Sequence, residues 1–144
     1  MIEIDGIIFS LQRHGGVSVY TRKILAGLEA ARRSAVLTLV EPNHLVPDAR
    51  PGGSVAVKTR RARRMERYRP FPPAPGASVA HSTYYRVPSG GRVPLVTTVH
   101  DFVYERYWSG PALWVHRAQK RYAIERSAAV ICVCLLYTSP SPRD

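Results

Sequence analysis

The segment Val93–Tyr107, with the sequence VPLVTTVHDFVYERY, decides the fold class of this chain. Its apolar and β-branched run is typical of a buried strand, and the run ends abruptly at His100 and Asp101. In open parallel α/β sheets, ligands bind at the carboxyl ends of the strands. The segment therefore predicts a strand that delivers an imidazole and a carboxylate to the binding edge of a parallel sheet.

Strand-like and helix-like segments alternate on both sides of this strand, which predicts an α/β fold: a Rossmann-like parallel sheet with flanking helices. The predicted strands are Ile2–Phe9, Ala35–Val40, Ser54–Lys58, Ala77–His81, Pro94–His100 and Ala128–Val133. Apolar spacing and helix breakers predict helices over Val17–Ala31, Lys58–Arg69 and Gly110–Arg126. Residues 41–53 and 70–76 are rich in proline and glycine, so we expect loops there.

The composition favours one folded domain that binds anionic partners. The chain has 144 residues, 45% of them hydrophobic, which is enough for a core. Its net charge of +11, with 18 arginines, favours nucleic acid, anionic lipid or phosphorylated ligands as partners. Cys132 and Cys134 match neither a disulfide framework nor zinc spacing, which favours a reducing compartment. The sequence has no secretory leader pattern and no apolar run of membrane-spanning length.

The last eleven residues, Cys134–Asp144, differ in character from the rest of the chain. Their sequence, CLLYTSPSPRD, resembles the translation of a transposon-end adapter used in sequencing libraries. The alternative is an ordinary linker rich in serine and proline. We expect residues 1–133 to form an incomplete natural domain and residues 134–144 to be a non-native tail.

A pair of glycines, Gly15 and Gly16, stands between the first strand and the first long helix. Glycines let a backbone approach a ligand closely, and a helix N-terminus offers free N–H groups to a phosphate. The spacing matches neither a dinucleotide fingerprint nor a P-loop, since the Walker lysine and hydroxyl are missing. A simple tight turn is the other interpretation.

Two strand ends carry the other polar candidates. His100 could hydrogen-bond a sugar or phosphate with Asp101 orienting it, or Asp101 could simply cap a turn beside a satisfied histidine. After the preceding strand, the side chains His81, Ser82, Tyr84 and Tyr85 could line the same cleft, or belong to a loop with two packing tyrosines.

The segment Lys58–Arg69 is the most basic part of the chain, with seven basic residues and one acid. Nucleic-acid binding needs stacking aromatic residues among the basic ones, and only Tyr68 and Phe71 are near. Membrane-surface binding needs adjacent apolar residues. The third interpretation is a solvated helix face.

Three blocks together resemble the amino-terminal half of glycosyltransferase family 4, retaining enzymes of the GT-B fold. The first is Asp5–Gln12 followed by Gly15–Ser18, which is similar to the family's first strand and glycine loop. The second is His81–Pro88, and the third is Val96–Glu105 with His116–Lys120 and Ala129–Val133. Their order and spacing cover most of residues 2–133.

The resemblance implies roles for these residues. Gly15 and Gly16 would lie against the diphosphate or the sugar of a nucleotide-sugar donor. His100 would contact the donor sugar and Asp101 would support it as catalytic residues. The cleft formed by His81, Ser82, Tyr84 and Tyr85 would face a saccharide or lipid-linked acceptor.

The resemblance also implies what lies elsewhere. A second, carboxyl-terminal domain would bind most of the nucleotide, so we expect the 144-residue chain alone to have no transfer activity. We expect the protein to bind no metal, no cofactor and no nucleic acid. The resemblance implies a role in polysaccharide synthesis, with possible contact with an anionic membrane at its cytoplasmic face. The alternative function is a basic module that binds nucleic acid or a membrane. An epimerase of the Rossmann type would need a glycine fingerprint that residues 11–16 lack.

Overall fold

Six parallel strands form one sheet, which confirms the predicted Rossmann-like α/β fold. The computed structural model describes residues 1–44, 53–101, 107 and 109–133. Its strands are β1 Ile2–Asp5, β2 Ala35–Glu41, β3 Val55–Arg61, β4 Val79–Ser82, β5 Leu95–Val99 and β6 Ser127–Cys132. They lie in the order β3-β2-β1-β4-β5-β6, and all neighbouring pairs are parallel. The 3-2-1-4-5-6 order creates a topological switch point between β1 and β4, where Rossmann-like sheets bind ligands.

The helices are α1 Ile8–Leu11, α2 Gly16–Ala30 and α3 Pro111–Glu125, with a 3-10 turn over Glu66–Tyr68. The two long helices match the predicted ones to within one residue at each end. α3 begins at Pro111. Proline is tolerated in the first helical turn because the N–H that it lacks has no intrahelical acceptor there. No helix in the described parts of the chain combines the length and apolarity that crossing a membrane requires.

The first strand is shorter than predicted. β1 ends at Asp5, and Ile8 and Phe9 belong to α1 rather than to the strand. Gly6 allows the change of direction: its N–H donates to the Thr38 carbonyl at 2.9 Å, and a Cβ on Gly6 would lie 2.7 Å from that oxygen. The apolar run continues past the strand because Ile8 and Phe9 are buried in the core.

The predicted helix over Lys58–Arg69 is wrong. β3 instead continues to Arg61, paired residue by residue with β2 up to Glu41. The chain then turns, and only Glu66–Tyr68 is helical, as a 3-10 turn. Glu66 is buried, and its carboxylate accepts from the backbone N–H of Arg63 and from the side chain of Arg60. A continuous helix would use the Arg63 N–H for its own backbone bonding and would not bring residues six apart together.

Two apolar clusters fill the space between the sheet and its helices. One packs around α2 and the first two strands, and the other packs around α3, β4 and β5. Right-handed crossovers place α2 and α3 on opposite faces of the sheet. The predicted loop over 41–53 lies partly outside the described residues, as do residues 102–106 and the whole of 134–144.

Candidate functional site

A cavity of about 220 Å³ opens beyond the carboxyl ends of β1, β4 and β5. It therefore lies at the switch point of the sheet, where the strand order places a ligand site. Residues from four separate segments line it: Gln12, Val17, Tyr84, Tyr85, His100, Asp101 and His116. The structure thus brings His100, Asp101, Tyr84 and Tyr85 together, as the sequence predicts for residues at neighbouring strand ends.

His100 follows β5 directly and presents one free ring nitrogen. Its Nε2 is buried and has no hydrogen-bond partner among the described residues. The Tyr20 ring on α2 holds the imidazole edge-on at a centroid distance of 5.2 Å. Burial lowers the pKa of His100, against the raising effect of Asp101, so the imidazole is neutral near neutral pH. A neutral imidazole can donate to or accept from a ligand hydroxyl.

A buried lysine on α3 holds the backbone directly after His100. Lys120 is buried, and its Nζ donates to the backbone oxygen of Asp101 at 2.8 Å. The same ammonium lies 5.3 Å from the centroid of the Tyr85 ring, a cation–π distance. Lys120 therefore ties the backbone at Asp101 to α3, next to the cavity.

Tyr84, Tyr85 and His116 form an aromatic wall on one side of the cavity. The Tyr85 and His116 rings are perpendicular at 5.5 Å, and Tyr84 lies 6.3 Å from His116. Tyr85 has a φ of 57°, a left-handed conformation that costs a bulky residue free energy. Strained backbone of this kind persists where the surroundings enforce it, and here it aims a ring at the cavity.

Gly15 and Gly16 stand at the start of α2, between the cavity-lining residues Gln12 and Val17. Gly15 has no side chain to cap the helix, so the first N–H groups of α2 receive no capping bond from the residue before the helix. A Cβ on Gly16 would meet nothing within 4 Å, whereas one on Gly15 would collide with the Gln12 side chain. The site therefore has open space at Gly16, next to the positive end of the α2 dipole.

His81 and Ser82 are not among the residues that line the cavity. His81 is buried, and its Nε2 lies 2.7 Å from Thr98 Oγ1 on β5. Burial, together with the nearby His100, lowers the pKa of His81 to about 4. The Ser82 hydroxyl accepts a 2.8 Å bond from the Arg86 backbone N–H. Both residues make contacts within the protein that stabilise the strand end.

Sequence reasoning missed a buried ion network behind the aromatic wall. Arg86 is only 2% exposed; its Nη1 donates to Asp5 Oδ1 at 2.9 Å and its Nη2 to Glu66 Oε1 at 2.7 Å. Glu66 also accepts from Arg60 at 2.6 Å and from the Arg63 backbone at 2.9 Å. No local pattern signals the network, because Arg86 lies 81 residues from Asp5 and 20 from Glu66.

The two carboxylates of the network differ in pKa. Burial raises the pKa of Asp5 to about 6 although Arg86 opposes the shift. Burial also acts on Glu66, but hydrogen bonds from Arg60 and Arg63 outweigh it and lower its pKa to about 2. Glu66 is therefore the permanently charged centre of the network near neutral pH.

A larger groove, of about 730 Å³, runs along α3, and the lining residues that the structure describes belong to that helix. None of these described lining residues comes from a loop that follows a strand. The described residues also contain no group of three or more His, Cys, Asp or Glu side chains that could hold a metal ion.

Comparison with protein families, with curated proteins and with solved structures found no match to this chain.

Proposed function

We propose that this chain is the acceptor-side domain of a retaining glycosyltransferase of the GT-B fold, acting in cell-surface polysaccharide synthesis at the cytoplasmic membrane face. Such an enzyme transfers a sugar from a nucleotide-sugar donor to a saccharide or lipid-linked acceptor. The observation that carries the proposal is the cavity at the switch point. Its lining comes from the same three blocks that resemble the family, and those blocks are far apart in the sequence.

The start of α2 suits the donor diphosphate. In a helix the first backbone N–H groups lack intrahelical acceptors, and the dipole adds a partial positive charge there. Gly16 leaves room for an oxygen to approach these groups. As the nucleoside diphosphate departs, it gains negative charge, which these amides would stabilise.

His100 suits a hydroxyl of the transferred sugar. Its buried Nε2 has no partner among the described residues, and a ligand hydroxyl would satisfy it. The lowered pKa keeps the imidazole neutral, so it binds a hydroxyl without attracting the diphosphate. Lys120 would position this imidazole through its bond to the backbone oxygen of Asp101.

The aromatic wall suits the acceptor. Tyr84 and Tyr85, with ring centroids 5.4 Å apart, both line the cavity, and aromatic lining with a few polar groups is typical of small-ligand sites. In the proposed reaction, an acceptor hydroxyl attacks the anomeric carbon from the face that the nucleoside diphosphate leaves. The configuration at that carbon is thereby retained.

The second candidate function is a basic module that binds nucleic acid, favoured by the net charge of +11. A module of this kind would bind DNA with an affinity that falls steeply with salt. The glycosyltransferase proposal instead requires binding of a nucleotide sugar at the cavity, which involves few phosphates.

Gly16→Ala and Gly27→Ala form a matched pair that tests the site. Both glycines lie in α2, and a Cβ at either position meets nothing within 4 Å. Both variants should fold, and alanine should stabilise the helix at Gly27 by up to about 1 kcal/mol. We expect G16A alone to weaken binding of nucleoside diphosphate sugars, by about tenfold, because its methyl group occupies the space of the diphosphate.

Saturation-transfer NMR with a panel of nucleotide sugars measures this binding. Wild type and G27A should give signals from the same donor, and G16A should not. Equal signals from G16A and G27A, or no donor signal from wild type, would contradict the proposal. Turnover of a radiolabelled donor by the 144-residue chain would show that this chain needs no second domain.

A further inference from the structure

The turn between β3 and Pro70 presents a cluster of arginines around an exposed apolar tip. We call residues Arg61–Arg69 the basic loop; it contains five arginines and one acid. Arg61, Arg63, Arg64 and Arg69 are exposed. Between them Met65 is 62% exposed and Tyr68 is 45% exposed. The basic loop therefore combines positive charge with apolar side chains on one surface.

The tip of the basic loop is held in place. Met65 has a φ of 60°, a left-handed conformation that is unfavourable for a methionine. The adjacent Glu66 is buried and bound to Arg60, Arg63 and Arg86. Because Glu66 anchors the turn, the ion network keeps Met65 at the surface instead of letting it fold onto the core.

A basic hollow lies at the base of the basic loop. It has a volume of about 240 Å³ and is lined by Arg63, Arg69, Pro70, Pro72 and Ser89. The Arg69 Nε donates to the Arg64 carbonyl at 2.9 Å, which places this guanidinium next to the tip. Two guanidinium groups and a hydroxyl are donors that match the oxygens of a phosphate.

We propose that the basic loop docks onto an anionic lipid surface. The hollow takes a lipid headgroup phosphate, the exposed arginines face the surface charge, and Met65 and Tyr68 enter the interface. Basic residues next to apolar ones characterise surfaces that bind peripherally to membranes. Juxtamembrane arginines gain from the negative potential of anionic lipids, and tyrosine is favoured at the interface.

The side chains of the basic loop favour lipid over nucleic acid. Single-stranded nucleic acid needs exposed aromatic faces on which bases stack. The basic loop has one aromatic ring, Tyr68, so it lacks the successive rings on which neighbouring bases stack. Met65, the most exposed apolar residue of the basic loop, gains from a hydrocarbon interface and offers no base a stacking partner.

The basic loop is joined to the cavity by Arg67. Its Nη2 donates to the Tyr84 hydroxyl at 3.0 Å, and its carbonyl accepts from Gln119 Nε2 at 2.8 Å. A membrane bound to the basic loop would therefore lie beside the aromatic wall. The further step, that this membrane presents a lipid-linked acceptor, rests on the proposed function, whereas docking itself does not.

Vesicle co-sedimentation with matched charge variants tests the docking surface. Wild type should bind phosphatidylcholine vesicles that contain phosphatidylglycerol and should not bind pure phosphatidylcholine. R64Q/R69Q should reduce the partition coefficient at least about tenfold. R32Q/R33Q removes the same charge from exposed residues just before β2, at the amino ends of the strands, whereas the basic loop follows the carboxyl end of β3. This control should reduce the partition coefficient less than about twofold.

M65N separates apolar insertion from charge. Asparagine tolerates the left-handed conformation, so the basic loop should keep its shape and all its arginines. We expect M65N to weaken vesicle binding several-fold at high salt, where charge attraction is screened. Circular dichroism of each variant shows that the fold is retained.

Several results would overturn the docking proposal. They are equal losses in R64Q/R69Q and R32Q/R33Q, no effect of M65N, or tighter binding to an oligonucleotide than to the anionic vesicles. Displacement from vesicles by millimolar inorganic phosphate would assign the hollow to a free anion and also overturn it. None of these readouts involves a nucleotide sugar, so failure here leaves the proposed function to its own test.

Discussion

Replacing Arg86 with methionine is expected to lower the free energy of unfolding by about 3–5 kcal/mol. The guanidinium is buried and bridges Asp5 and Glu66, which are both buried. Without it, Glu66 keeps Arg60 and Arg63, but buried Asp5 loses the cation that it binds among the described residues, and burying an unpaired charge is costly. Urea unfolding followed by circular dichroism measures the difference.

R121M is the matched control for this substitution. Arg121 also pairs with a carboxylate, Glu125, at 2.7 Å, but both side chains are largely exposed. Its removal should leave the unfolding midpoint unchanged. The double variant D5N/R86M should recover part of the loss, because it removes the carboxylate that R86M leaves unpaired while Glu66 keeps Arg60 and Arg63. An R86M midpoint equal to that of R121M would contradict the network.

Acidification from neutral pH to pH 4 is expected to destabilise the protein through His81. Burial holds its pKa at about 4 in the folded state, below the ordinary value of 6.5. The unfolded chain therefore takes up the proton first, so the stability contributed by neutral His81 is complete above 6.5 and is lost as the pH falls towards 4. The expected loss is about 3 kcal/mol.

H81Q isolates this contribution, since glutamine can still bond Thr98 but does not titrate. Between pH 6.5 and pH 4, the free energy of unfolding should fall more steeply with decreasing pH in wild type than in H81Q. The comparison is needed because the raised pKa of Asp5 acts in the opposite direction and the lowered pKa of His100 in the same one. A pH-independent difference for H81Q would refute a neutral buried imidazole.

The sequence predicts elements well where one periodicity extends through the whole element. α2 has apolar residues at helical spacing and ends in the structure within one residue of its predicted bounds. The predicted end of β1 is wrong because the chain changes direction at Gly6 while the apolar run continues into α1. The helix prediction for residues 58–69 is wrong because strand pairing with β2 and the bonds to buried Glu66 outweigh local helix propensity.

The candidate site is predictable in part for a similar reason. Parallel strands bring their carboxyl ends to one edge, so His100 and Tyr84 meet although far apart in the sequence. Whether a side chain points into the cavity or into the sheet depends on packing. His81 bonds Thr98 on the neighbouring strand, and nothing in its sequence context distinguishes it from His100. Arg86, with partners distant in sequence, is visible only in the structure.

The central claim is that the edge containing Gly16 and His100 is one wall of a nucleotide-sugar cleft. Titrating the isotope-labelled chain with nucleoside diphosphate sugars, and recording amide and imidazole resonances, tests it most directly. We predict shifts at Gly15, Gly16, Val17 and the His100 ring, with the Arg32–Arg33 region unchanged. Shifts confined to the basic loop, or none with any donor, would contradict the claim.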